Sequence, residues 1–155
     1  MKTIISILLS LATVFPAAAR IVLCDDNCEV EFSATTENEP RFMEHTDLAP
    51  EQTVAVLPIA HRNTTAWHVA VNGVMAGCKP EYMPLLIAIT EALGAPEFRR
   101  TLASTHGWTP YCWINGPIVK RLGIAIGQGG INNPANMAIG RFINLALINL
   151  AGYYV

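Results

Sequence analysis

The chain has 155 residues, 52% of them hydrophobic and 14% charged, enough apolar content to bury the core of one domain. Its formal net charge is -2, with nine of the twelve acids between Asp25 and Glu51, while from Arg62 onward seven Lys or Arg face three Glu. That basic excess is scattered rather than striped, which excludes a nucleic-acid surface, and no DNA or RNA partner is expected.

Residues 1–19 have the layout of an export signal: Met1-Lys2-Thr3, an apolar run over 4–15, then Pro16-Ala17-Ala18-Ala19 as a small-residue cleavage site. The mature chain then begins near Arg20 and is secreted or periplasmic, or cytoplasmic if the start is mis-assigned. The apolar run is shorter than the ~20 residues a membrane span needs, so no span is expected. Cys24, Cys28, Cys78 and Cys112 allow about three disulfide pairings. Cys24-Asp-Asp-Asn-Cys28 fits neither a redox Cys-x-x-Cys nor half of a zinc site, so a local bridge closing an acidic turn is expected and no metal.

Branched residues at 21–23 and 30–32 flank that turn and suit a small hairpin. Residues 33–52 read as loop, giving an acidic arm over 20–53, and residues 54–59 as a buried strand stopped by Pro58. Asn63-Thr64-Thr65 is an N-glycosylation sequon for a eukaryotic host, although Thr65 equally suits a helix N-cap. A helix follows to about Ala76, with Trp67, Ala70, Val71 and Val74 at i, i+3, i+4 and i+7 as its core face. His68 and Asn72 share a neighbouring face. For His68 a place at the rim is expected, and Asn72 either faces a cavity or bonds to a nearby loop.

The stretch 72–84 is a helix, a break and a second helix. Gly77 gives the freedom to end the first, and Pro80 and Glu81 suit the first turn of the second, whose regular part starts nearer Met83 because Pro84 strains an earlier start. Cys78 then stands at a helix N-terminus beside Lys79, an arrangement that depresses a thiol pKa. Gly94 and Pro96 end the second helix. Residues 99–105 and 111–114 read as adjacent strands around His106. Asn115-Gly116-Pro117 opens a short helix over 118–122. A glycine-rich loop around Gly127-Gln-Gly129-Gly130 covers a site and leads into a helix over 135–150, apolar nearly all round and so expected to be central and buried. Asn136, Gly140, Arg141 and Asn144 form one polar arc on it, and Arg141 has no acid at i-3 or i-4.

The elements together predict an α/β fold: a small single-domain sheet of about three to five strands on three to four helices, with a buried C-terminal helix. Four ordered segments resemble the UGSC-type (seleno)proteins, a family named for selenocysteine or cysteine followed by Gly-Ser-Cys. They are Asn72-Gly-Val-Met-Ala-Gly-Cys-Lys-Pro-Glu-Tyr-Met-Pro84, Ser104-Thr105-His106, Asn115-Gly-Pro-Ile118 and Asn136-Met-Ala-Ile-Gly-Arg141. The resemblance covers residues 54–152, lacks the Cys-Gly-Ser-Cys motif itself, implies thiol or selenol redox chemistry, and leaves room for a second domain or partner chain.

The expected site gathers Cys78 as nucleophile or metal ligand, His106 as its base, Asn115 and Asn136 as donors to a carbonyl or carboxylate, Asn72 as a further ligand-binding residue, Arg141 as anion anchor and Gly129 in the covering loop. Such a site suits a cysteine-dependent enzyme, redox or acyl/lyase-type, acting on a small anionic substrate; no cofactor is identified. The competing expectation is a secreted protein that binds a small ligand or partner on that fold without catalysis.

Overall fold

A computed structural model describes residues 38–57, 61–98 and 110–153. The hairpin at 21–32, the export signal, Cys24, Cys28, the strand at 99–105 and His106 lie outside those residues. Residues Glu37–Val155 form one compact unit.

The described elements are α1 (Glu39–Met43), β1 (Thr53–Leu57), β2 (Arg62–Thr65), α2 (Ala66–Ala76), a 3-10 turn (Pro80–Tyr82), α3 (Met83–Leu93), α4 (Pro117–Arg121), a second 3-10 turn (Gly127–Gly130), α5 (Pro134–Leu145) and a π-helical turn (Ala146–Leu150). The architecture is helix-rich. Among the described residues, the expected sheet of three to five strands is replaced by a single antiparallel pair, β1 with β2, in which Val56 faces Asn63 and Leu57 faces Arg62. Residues 111–114 have no regular secondary structure and join no ladder among the described residues. Their branched and aromatic side chains suit a strand, yet strand propensity reflects packing against neighbours, and here Tyr111 and Trp113 face solvent. β2 is the reverse case: polar in sequence, it is held as a strand by its partner's backbone.

α2 occupies the centre, packing on α1, α3 and α5. Thr65 caps it in a reciprocal arrangement, its Oγ1 accepting from the His68 amide at 3.4 Å while its own amide donates to His68 Nδ1 at 3.2 Å. Gly77 ends the helix at φ +76, a left-handed conformation glycine adopts without the penalty of a Cβ. Gly73 lets its neighbours approach: a Cβ there would lie 2.8 Å from both Leu86 Cδ1 and Phe42 Cε1. Phe42 belongs to α1, so the loop expected over 33–52 contains a short helix that contributes a fully buried ring to the core.

α3 begins at Met83 with Pro84 in its first turn, where a missing N–H costs no helical bond. Its buried residues Met83, Leu86, Ile87, Thr90 and Leu93 face α2 and β1. α5 differs from expectation. Ala135, Ala138, Ile139, Phe142 and Ile143 are buried, but Gly140, Arg141 and Asn144 are exposed. The helix lies against the core on one side, and its polar arc meets solvent instead of being enclosed.

Candidate functional site

The loops before and after α4 and the outer side of α5 enclose an open groove of about 1050 Å³, at the upper end of the ~300–1,000 Å³ typical of small-ligand sites. Its floor includes Val119, Ile139 and Ile143, and its rim Tyr111, Trp113, Ile126 and Ile131. The Tyr111 and Trp113 rings sit 6.3 Å apart between centroids and are tilted by 54°. Lys120 is the only charged residue among the described lining. After Glu97 the sequence carries five Lys or Arg and no Asp or Glu, so nothing on this part of the chain repels an anion.

The groove's shape is set by asparagines. Asn133 caps α5, accepting from the Asn136 amide at 3.0 Å, and its own side-chain amide donates to the Gly123 carbonyl at 3.0 Å. Asn136 then grips the Ala125 peptide from both sides: Oδ1 accepts from the Ala125 amide at 3.1 Å and Nδ2 donates to its carbonyl at 3.0 Å. Two side chains from the first turn of one helix thereby fix the loop that carries Ile126. A Cβ on Gly130 would lie 3.1 Å from Asn136 Nδ2, so the glycine-rich turn closes tightly on this clamp.

The expected site residues fall into separate places. Asn115 and Asn136 both line the groove, but the amide of Asn136 is committed to Ala125. Gly129 is exposed in the turn beside the groove, whose lining includes Gly127 and Gly130. Asn72 is buried and structural: Nδ2 donates to the His68 carbonyl at 2.9 Å and Oδ1 accepts from Asn149 Nδ2 at 2.8 Å, tying α2 to the π-helical turn. Cys78 and Arg141 are neighbours, but neither is among the groove's described lining residues. Arg141 Nε donates to the Ala76 carbonyl at 2.9 Å, and a Cβ on Gly77 would lie 3.3 Å from its guanidinium. The role for Arg141 is therefore to satisfy the end of α2.

The Cys78 thiol runs opposite to expectation. Burial pushes it up to about 12, and the Arg141 charge pulls it down only in part. Partial burial raises Cys112 as well. Cys78 and Cys112 are both free thiols. No group of three or more His, Cys, Asp or Glu is placed to hold a metal among the described residues. No described helix is long and apolar enough to cross a membrane.

Sequence reasoning missed Tyr111, Trp113, Lys120, Ile126 and Ile131 as site residues. The available signal was the density of large apolar side chains in segments already rich in glycine, proline and asparagine, where core burial is not assured. Comparison with known proteins finds no matching family model, no matching curated protein and no matching solved structure.

Proposed function

We propose that this chain is a binding protein whose groove takes a small amphiphile, an apolar body carrying one anionic group. The observation that carries this reading is the groove itself: apolar walls, two aromatic rings at the rim, and Lys120 as the one charge in the described lining. The walls favour a hydrocarbon or ring system removed from water, and Lys120 fixes which end of the ligand carries the charge. The proposal includes export from the cell, motivated by the pattern of residues 1–19, and kinship with the UGSC-type proteins, motivated by the ordered segments.

The physical chemistry favours binding over cysteine-dependent catalysis. A nucleophilic cysteine reacts as thiolate, whereas burial keeps Cys78 protonated near neutral pH and the groove is lined without it.

The test uses decanoate below its micelle concentration, with decanol as the uncharged analogue of equal chain length. Saturable change in the Trp113 emission is expected with decanoate, assigned by its loss in Trp113→Phe. Lys120→Met should weaken decanoate by about two- to fivefold, the range of an exposed ion pair, and leave decanol unchanged. Gly140 lines the groove with open space where a side chain would begin, so Gly140→Phe should block both. Absence of saturable binding, or binding indifferent to Gly140→Phe in a folded protein, would overturn the reading.

A further inference from the structure

Among the described residues, the four most exposed large apolar side chains are Tyr111 at 85%, Ile126 at 84%, Ile131 at 82% and Trp113 at 77%. The next is Met75 at 51%. All four line the same groove. They come from loops on either side of α4, and two of them are the aromatic types that settle at the boundary between water and hydrocarbon, with one face apolar and one edge polar. Soluble monomers rarely gather their most exposed apolar side chains in one place without a use for them.

Charge points to the nature of the surface they meet. Lys120 lines the groove, and Arg121 is exposed beside it in the last turn of α4. No acid follows Glu97 in sequence, so the segments building this rim contain no negative charge. Large apolar tips with basic residues next to them match a layer whose interior is hydrocarbon and whose surface is negative. The loops need not span it, because tips of this kind enter only the headgroup region.

We propose that the rim docks on a bilayer containing anionic lipid, with Tyr111, Trp113, Ile126 and Ile131 entering the headgroup region and Lys120 and Arg121 supplying the attraction, so that the groove acquires its amphiphile from that surface. The docking stands on the rim alone; only the source of the ligand rests on the groove reading above.

The experiment is flotation of the full chain with vesicles of phosphatidylcholine, alone or mixed with phosphatidylglycerol. Binding is expected to the mixed vesicles and to fall steeply with added salt. Brominated acyl chains should quench Trp113, a signal absent from Trp113→Phe. The double variant Trp113→Ala with Ile126→Ser, exposed positions that leave the core untouched, should weaken binding by an order of magnitude. Lys120→Gln and Arg121→Gln should each weaken it by about fivefold. Equal flotation with both vesicle types, or undiminished binding of the Trp113→Ala, Ile126→Ser variant, overturns the proposal. So does a concentration-dependent dimer abolished by that variant with no vesicle binding, which would assign the rim to a second copy. Decanoate binding without vesicle binding removes this inference and leaves the groove reading standing; vesicle binding without decanoate binding does the converse.

Discussion

Arg141 donates from Nε to the carbonyl oxygen of Ala76 at 2.9 Å, joining the second turn of α5 to the last residue of α2. The last carbonyls of a helix lack partners within it and carry the negative end of its dipole, so a guanidinium there satisfies both. Arg141→Met should lower stability by about 1 kcal/mol, an exposed, solvent-screened charge-assisted bond, read as a shift in the urea midpoint. Decanoate affinity should not change, because Arg141 is not among the groove's described lining residues.

The raised pKa of Cys78 makes two linked predictions. Alkylation followed by peptide mass mapping should modify exposed Cys112 well before Cys78 at pH 8, and the Cys78 rate should climb only as pH approaches 12. The folded state keeps this proton over a window where the unfolded chain has lost it. Its contribution to stability is thus complete below the ordinary thiol value of 9.0 and fades as pH rises towards 12. A Cys78→Ala protein should lack that alkaline component. A depressed Cys78 midpoint would contradict the burial argument.

His68 should give the opposite dependence. Its pKa is lowered chiefly by burial, with a backbone hydrogen bond to Asn63 acting to raise it and the Arg62 charge adding to the lowering. Its Nδ1 must be unprotonated to accept from the Thr65 amide. Protonation occurs more readily in the unfolded chain, so the contribution is complete above pH 6.5 and lost as pH falls through the lower folded value. Thermal melts between pH 7 and 5 should lose stability more steeply in the wild type than in His68→Gln, whose amide oxygen can still accept.

Two glycines should respond with opposite sign. Gly73→Val forces side-chain atoms into Leu86 and Phe42 and should cost about 1–3 kcal/mol. Gly140→Ala places its methyl group in open space on an exposed helical position and should stabilise by about 0.5–1 kcal/mol. Chemical denaturation of both variants checks the pair.

Thr64 Oγ1 is buried with no hydrogen-bond partner. Thr64→Val keeps the shape, suits a strand and removes the orphan hydroxyl, so an increase in stability of up to about 1 kcal/mol is expected. A decrease measured by the same denaturation would mean that the hydroxyl has an ordered water as partner.

The amino-acid sequence by itself determined where several helices start and stop. Thr65 before α2, Gly77 after it, Pro84 in the first turn of α3 and the Asn115-Gly116-Pro117 turn before α4 act through caps and backbone angles spanning a few residues. Tertiary structure decided what those helices face. The apolar composition of 135–150 suggested enclosure, but packing against α2 and α3 leaves Gly140, Arg141 and Asn144 at the surface. Residues 111–114 carry strand-forming side chains yet find no paired edge among the described residues, while polar β2 pairs because β1 lies beside it. At Cys78 the sequence exposed the helix terminus and Lys79, terms that lower a pKa, whereas the larger opposing term comes from groups folded over the thiol. Caps and turns are local and readable along the chain; burial, pairing and desolvation arise from residues tens of positions apart, so only the assembled fold fixes their sign.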